Sequence, residues 1–422
     1  MKKNSQYSGF YKNSVAERRD LISQFADLTA EEKNIIADPN SLTEEISNNM
    51  IENVIGRFSL PLAVATNFII NGKDYVIPMV TEEASVVAAA SNAAKMARAK
   101  GGFHTSMSGT VMISQIQLTD LVNPHHASII IAENKQKIID ICNAQDPVLI
   151  KHGGGALDVE TRIVDSKLIG SMVVVHLKVN TLDAMGANAV NTMAEAVAPF
   201  LEELTKGKAA LRILSNLAIY RLARARVTIA KEDIGGEEVV DKVLSAYAFA
   251  EADPFRAVTH NKGIMNGITP VVMATGNDTR AIESGAHAYA SISGRYTSLT
   301  TWEKDHNGDL TGTIEVPMAV GLVGGATKIH PVAKIAIKIL GVTSSYELGG
   351  VIAAVGLAQN LAAIRALATD GIQKGHMSLH ARNIASVAGA KGEILEKIVK
   401  QMVAEKKVRL EYAQELLQQY SK

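Results

Sequence analysis

Residues 259–278 read THNKGIMNGITPVVMATGND. A lysine, Lys262, stands between an asparagine and a glycine, and Asn266-Gly267 follows a few residues on. Glycine lets a backbone turn without side-chain bulk, so a substrate can approach closely. The apolar run 268–274 leads to a second polar group, Thr275-Gly276-Asn277-Asp278, and a helix is predicted from Thr279. The spacing thus predicts two polar turns joined by one buried strand, which brings Lys262 and Asp278 together. A lysine held beside an aspartate, partly out of water, keeps its charge and can stabilise a developing oxyanion. On residue types alone, an ordinary ion pair between loops accounts for the same pattern.

The totals bound what such a site can belong to. A chain of 422 residues can bury a substantial core in two or three domains. Lys+Arg and Asp+Glu both number 43, so no global field points to nucleic acid or an acidic membrane. Cys142 is the single cysteine, which excludes an intramolecular disulfide and fits a reducing compartment. The start, MKKNSQYSGF, has no apolar segment behind its lysines and does not read as a secretory signal. The most apolar region, 349–368, carries Gln359, Asn360 and Arg365, which argues against a membrane span. A soluble, cytoplasmic enzyme is the expectation.

Working outward from the opening stretch, residues 14–37 and 42–49 read as short amphipathic helices, with Gly56 ending the helix that holds Glu52. Asn71-Gly72 between two β-prone runs predicts a hairpin. Thr81-Glu82-Glu83 is expected to open a helix that runs to Gly101-Gly102, with Thr81 as its cap. Its alanines, from Ala88 to Ala94, place it at the centre of the larger domain. From 110 to 216 the order strand, helix, strand, helix, strand predicts a small α+β domain with a mainly antiparallel sheet. The chain then returns to the larger domain, with a helix over 241–250, a hairpin turning at 306–309 and a long apolar helix over 351–369. Gly321-Leu322-Val323-Gly324-Gly325 reads as a tight turn. Beyond Gly371 come three helical pieces, with Gly371 and Gly375 as hinges of a C-terminal lid.

Several segments together resemble one family. They are the opening stretch, Glu52-Asn53-Val54-Ile55-Gly56, Glu82-Glu83-Ala84-Ser85, Asp183-Ala184-Met185-Gly186-Ala187-Asn188 and Gly375-His376-Met377. In this order and over nearly the whole chain, they look like 3-hydroxy-3-methylglutaryl-CoA (HMG-CoA) reductase in its soluble class II form. The resemblance implies an α+β fold in three parts. These are a large, mostly helical substrate domain with a central helix (1–109 and 217–371), an inserted ferredoxin-like, non-Rossmann cofactor domain (110–216) and a helical flap (372–422). It also implies a homodimer, or a larger assembly of dimers such as a hexamer, with active sites across the subunit interface. One departure is Ala84, where the family often has proline.

Reducing a thioester to an alcohol takes two hydrides, and each addition builds charge on a carbonyl oxygen that a fixed cation must meet. Lys262 is the candidate, oriented by Asp278. A carboxyl group kept out of water can protonate the alkoxide near neutral pH, and by resemblance this is Glu83. By resemblance, too, His376 protonates the departing coenzyme A thiolate. His376 and His380 also stand at metal-ligand spacing, but HMSLH lacks the glutamate of a zincin, so no metal is expected. Ser85, Arg256, Asn266 and Gln359 match the family's substrate-binding positions, and an arginine can clamp a carboxylate in two places.

No GxGxxG follows a strand, which argues against a Rossmann domain. Taken alone, residues 183–188 are a helix start whose small residues leave N–H groups free for a pyrophosphate. With the resemblance, Asp183, Met185, Gly186, Asn188 and Asn216 are cofactor-binding residues. Asp146 matches an acidic residue near the adenosine ribose, which favours NAD(H), with NADP(H) as the other option; an aspartate that starts a turn before Pro147 is the plainer reading. The implied partners are HMG-CoA, mevalonate and CoA, without nucleic acid or membrane. A CoA-thioester lyase or acyltransferase working without a nicotinamide, and a non-catalytic CoA-binding regulator, are the alternatives.

Overall fold

In the computed structural model, which describes residues 3–369 and 371–420 without the side chains of 372–379, Pro254–Ala274 is a single helix of 21 residues. This corrects the reading of a first turn and a strand, while the second turn, 275–278, and the helix from Thr279 are as expected. Asp253 starts the helix by accepting a hydrogen bond from the Arg256 N–H at 2.8 Å, and Pro254 occupies the first helical position. Buried Ala257, His260, Asn261, Ile264, Met265, Ile268 and Val271 recur at intervals of three and four, the helical period. The run 268–274 is the deeply buried end of that helix, and a short apolar run carries no period that separates helix from strand. Its glycines make no turn. A methyl group at Gly267 would stand 2.8 Å from both the Val355 carbonyl oxygen and Gln359 Cβ, so glycine is what lets a second helix lie against this one.

That second helix, Ser345–Ala368, is the central one, buried from Leu348 to Leu361 without interruption. Its own glycines admit neighbours on several sides: Gly349 faces Met107, Gly350 faces Thr105 and Gly356 faces Ile268. It begins six residues before the expected Val351, where the Ser344 hydroxyl accepts from the Glu347 N–H at 3.1 Å. The helix is long and apolar enough to cross a membrane, yet its sides are covered by protein. The alanine-rich helix, Val86–Ala97, packs on its flank rather than at the centre.

Two sheets complete the body. In chain order the strands are β1 (Leu62–Ile70), β2 (Lys73–Val80), β3 (Phe103–Met107), β4 (Val111–Thr119), β5 (Gly155–Ser166), β6 (Gly170–Asn180), β7 (Lys208–Ser215), β8 (Leu222–Ile229), β9 (Thr300–Lys304) and β10 (Leu310–Pro317). The larger sheet has the order β2-β1-β3-β8-β10-β9. Its β1–β2 hairpin turns at Asn71-Gly72, where φ is 50° and 76°, as expected for this dipeptide. The smaller sheet has the order β5-β6-β4-β7 and is antiparallel throughout. With helices Pro124–Glu133, Lys135–Asn143 and Ala187–Thr205 it makes the ferredoxin-like β-α-β-β-α-β pattern. Strand β5 is absent from the sequence reading, because its charged residues, Asp158, Glu160 and Arg162, hide a strand with one wet face.

At the N-terminus, Val15–Ala26 and Ala30–Ala37 each start on a capping box, Ser14 with Glu17 and Thr29 with Glu32. Helix Glu44–Met50 ends before Glu52, so Gly56 terminates no helix and lies in an exposed extended segment. The three C-terminal helices, Ile372–Val387, Gly392–Ala404 and Leu410–Tyr420, share an apolar cluster of their own around Ala385, Ile398, Met402 and Leu416.

The two glycines of the site helix make a matched test. Gly267→Ala sets a methyl against a backbone carbonyl and is expected to destabilise by roughly 2 kcal/mol, in the overpacking range. At Gly263 the nearest atom is Ala363 Cβ, 4.0 Å from the new methyl. Gly263→Ala should therefore be neutral or stabilising by up to about 1 kcal/mol through helix propensity. Equal urea midpoints for the two variants would contradict the close packing of these helices.

Candidate active site

The loop after β2 does not start a helix at Thr81. The Thr81 hydroxyl instead accepts from the Glu83 N–H at 3.2 Å, and the helix begins at Val86 after Ser85 has taken a left-handed φ of 75°. A non-glycine residue in that conformation costs roughly 1 kcal/mol, and here it holds Glu83 off the helix, facing Pro254–Ala274. The Ser85 hydroxyl is buried with no partner among the described residues.

Lys262 and Asn266, one helical turn apart, reach the same carboxylate. The Lys262 ammonium lies 2.8 Å from Glu83 Oε2, and the Asn266 amide donates to Oε1 at 3.2 Å. The pair is open, with 59% of the lysine side chain and 38% of the glutamate exposed. Beside it, Gln359 is buried against Gly267, and its Oε1 also lacks a partner. Two orphaned polar atoms, on Ser85 and Gln359, thus accompany a joined cation and carboxylate, which is what a polar ligand would complete.

Arg256 stands elsewhere on the helix, six residues and about 240° round from Lys262. Its guanidinium makes no hydrogen bond among the described residues, and partial burial pulls its pKa down. Its neighbour is His260, 2% exposed, which shares hydrogen bonds with Thr300 and Asn360. Asn360 in turn accepts from the Trp302 indole at 2.7 Å. The sequence reading passed over this network, whose members lie up to 100 residues apart.

Asp278 is not beside Lys262. Its carboxylate caps helix Thr279–Tyr289 through the Arg280 and Ala281 N–H groups, at 2.9 and 3.0 Å. From Lys262 to the helix end at Ala274 the axis rises about 18 Å, so the expected pairing does not occur within one chain.

Residues 183–188 do form a helix start. Ala187–Thr205 has 19 residues and no capping side chain, and Gly186, at φ 98°, rests on Thr181 where a Cβ would clash at 2.4 Å. Gly321 lies equally close: its Cβ would stand 2.5 Å from the Met185 nitrogen. The expected tight turn at 321–325 is therefore part of the same cradle, with the Leu322 N–H donating to the Asp183 carbonyl at 2.8 Å. Asp183 itself accepts from the Ser345 N–H. Asn188 and Asn216 are exposed nearby in sequence terms, on the first turn of this helix and after β7. A free helix N-terminus with a side-chain-free approach fits a dinucleotide's pyrophosphate. Asp146 caps helix Pro147–Lys151 through the Leu149 N–H at 2.9 Å, the plainer of its two readings.

His376 lies outside the described side chains. Among the described residues no cluster of three or more His, Cys, Asp or Glu could hold a metal ion. Arg221 and Asn277 went unassigned in the sequence. Asn277 lies inside the opening stretch, and its amide oxygen accepts from the Gly321 N–H at 2.8 Å; Arg221 carries no local signal at all.

Comparison with known proteins meets this geometry. Residues 14–381 match the family model described as hydroxymethylglutaryl-coenzyme A reductase. A 3-hydroxy-3-methylglutaryl-coenzyme A reductase of Archaeoglobus fulgidus is 58% identical over 98% of this chain and 94% of its own. Among solved structures, a 3-hydroxy-3-methylglutaryl-coenzyme A reductase from Streptococcus pneumoniae superposes with a TM-score of 0.85 at 40% identity, over 98% of this chain and all of that one. The class II enzyme of the same organism bound to NADPH gives 0.82 at 40% identity, over 97% of this chain and 100% of that one. The fold and these matches define an oxidoreductase. The chain belongs to the hydroxymethylglutaryl-coenzyme A reductase family, whose reaction is the reduction of HMG-CoA to mevalonate.

The buried network sets a pH dependence. Burial, with Arg256 nearby, lowers the His260 pKa from 6.5 to about 4. Between those values the unfolded chain binds a proton that the folded chain does not. Stability therefore falls as pH drops from about 6.5 to about 4, by on the order of 3 kcal/mol. Half-buried His176 and His330 shift in the same direction and add to the slope. Urea unfolding of the wild type and of His260→Gln across this range should show a shallower loss in the variant; parallel curves would remove His260 as the cause.

Proposed function

We propose that this chain reduces HMG-CoA to mevalonate and free CoA at a site built from Glu83, Lys262 and Asn266 of one copy and Asp278 of a second. The observation that carries the reading is the 2.8 Å contact between Lys262 and Glu83, with Asn266 on the other carboxylate oxygen. A cation and a carboxyl group side by side support this reading, because a carbonyl oxygen could be met by both. Lys262 holds the charge that develops on that oxygen, and Glu83 protonates the alkoxide of the aldehyde stage. Asn266 keeps the carboxyl turned toward the lysine. The unpaired Arg256 guanidinium suits the substrate's carboxylate, while the Ser85 hydroxyl and Gln359 amide suit its oxygens. His376 is assigned, on its family position, to protonating the CoA thiolate as it leaves.

When bound, reduced nicotinamide supplies the two hydrides in succession. Asp183, Met185, Gly186, Asn188 and Asn216 are the residues we assign to its binding, with the N-terminus of Ala187–Thr205 at the pyrophosphate. We take 110–216 as the cofactor domain, 1–109 with 217–371 as the substrate domain and 372–422 as a flap. A cytoplasmic setting accords with Cys142, buried and free.

Two copies are needed because Asp278 cannot reach Lys262 along its own chain. Asp278 travels instead with the cofactor loop, to which Asn277 and Gly321 tie it. Exposed Ile51, Ile55 and Phe58 offer apolar surface for a symmetric dimer. Lys262→Ala and Asp278→Ala should each lower turnover by a factor on the order of a hundred or more. Co-expressed, they form hybrid dimers with one intact site, and about a quarter of wild-type activity should return. No recovery in purified hybrids would place Asp278 and Lys262 in the same subunit's site.

For the cofactor we propose NADH over NADPH. The Asp146 carboxylate gives one oxygen to its helix cap and can turn the other to a ribose diol; it would meet a 2′-phosphate as a like charge. The Streptococcus pneumoniae structure holds NADPH, so the preference is a point on which relatives can differ. Loss of reduced-cofactor absorbance on adding HMG-CoA tests the reaction, and a lyase, acyltransferase or regulator would leave it unchanged. The kcat/KM ratio of NADH to NADPH should exceed one and shrink in Asp146→Ala; a wild-type preference for NADPH would overturn the assignment.

A further inference from the structure

Arg221 is the largest fully buried side chain among the described residues, with 0% of its surface exposed. It sits at the end of the turn between β7 and β8, where no periodicity or motif marks it. Its Nη1 donates to the Thr181 hydroxyl and to the Ala184 carbonyl, both at 2.9 Å, with Met185 O at 3.4 Å. Its Nη2 donates to the Val320 carbonyl. Those acceptors belong to two loops that meet as a parallel bridge, Ala184 with Val323. One guanidinium therefore pins both loops from beneath, and its planar fork is what spans them.

The linkage continues past the loops. Gly321 follows Val320, packs on the Met185 nitrogen and donates its N–H to Asn277, the residue before Asp278. We infer that Arg221 is a positioning residue that holds the cofactor loop 183–188 and the Asn277-Asp278 turn as one unit, so that seating the cofactor and placing Asp278 are set by the same buried charge. This rests on the nicotinamide reading of that loop.

Electrostatics supports the assignment. Among the described residues no carboxylate is hydrogen-bonded to the guanidinium, and Asp183 Oδ1 accepts from the Ser345 N–H at 2.6 Å. Burial pulls the Arg221 pKa down to about 10, partly offset by the nearby Asp183 charge, so the group stays protonated at neutral pH. A fixed positive charge thus lies under the N-terminal end of a 19-residue helix, where its field adds to the helix dipole toward an anion. Among the described residues the buried Nε–H has no partner, so one donor is left unsatisfied, which an arrangement serving stability alone would avoid.

The test compares Arg221→Lys, which keeps charge but loses the fork, with Thr181→Val, which at nearly constant volume removes one acceptor together with the hydroxyl's own donation toward the Thr110 and Ala184 carbonyls. NADH titrated onto each purified enzyme without thioester, followed by fluorescence, is expected to bind about tenfold more weakly in both, as loss of a charge-assisted hydrogen bond implies. HMG-CoA affinity by calorimetry should stay within about twofold. Turnover at saturating NADH should also fall about tenfold, because the Asp278 turn loosens with the loop. Unchanged NADH affinity in either folded variant overturns the proposal. Weaker NADH binding with full turnover overturns the single unit, and equal loss of both ligands shows a general structural role. If Arg221→Lys is insoluble, Thr181→Val decides. A wild-type chain that oxidises neither NADH nor NADPH with HMG-CoA would instead sink the functional reading itself.

Discussion

The close packing of Pro254–Ala274 on Ser345–Ala368 is the constraint on which the rest of the structure depends. Gly267 removes the Cβ that would collide with the Val355 carbonyl, and Gly356 does the same for Ile268. Brought this near, the first helix has no freedom to rotate, and its polar residues are distributed by the helical period alone. Lys262 and Asn266 fall on the face toward Glu83, while His260, in the core, and Arg256, one turn before it, lie on another side. The buried His260–Asn360–Trp302 network then fixes the register of the pair, since an unpaired polar group there would cost about 1–3 kcal/mol.

Against that rigid pair stands a loop held by local strain. Ser85 adopts a left-handed conformation in order to present Glu83, and the following helix packs its alanines on β1 and the central helix. Backbone strain of this kind persists only where surrounding structure over-determines it. The Glu83–Lys262 pair is correspondingly well aimed but wet, and exposed ion pairs contribute little to stability, roughly 0–1 kcal/mol. Its geometry is consequently better understood as chemistry than as a fastening of the fold.

The second half of the chemistry is organised differently, around a buried charge instead of a helix pair. The 183–188 loop, the 321–325 loop and the Asn277 turn are irregular backbone, which needs hydrogen-bond partners once it is out of water. Arg221 and Asn277 provide them, and the glycines let the three segments touch. Each half is internally coherent, and the distance between Lys262 and Asp278 keeps them apart within one chain. The proposed two-copy site rests on that separation.

Local chemistry was legible in the sequence wherever a few consecutive residues decide the outcome. Asn71-Gly72 dictates a hairpin turn because both residues tolerate positive φ, the turn at 306–309 does the same for β9 and β10, and Gly101-Gly102 stops a helix. The motif residues Glu83, Lys262 and Asn266 were named from sequence, and the structure joins them. What local residues could not decide was the period of a fully buried segment, so residues 259–274, which read as a turn and a strand, are one helix, while the turn at 275–278 follows from its own residues. Nor could they show that its glycines serve helix contact, that Thr81 leaves the helix start to Ser85, or that the central helix is Ser345–Ala368. Arg221 makes the limit plainest: its acceptors lie 36 to 99 residues away, and only folding brings them around one guanidinium. Sequence determined which groups this protein carries and how its turns are made, while tertiary structure decided which groups meet, because burial and distance are properties of the packed chain.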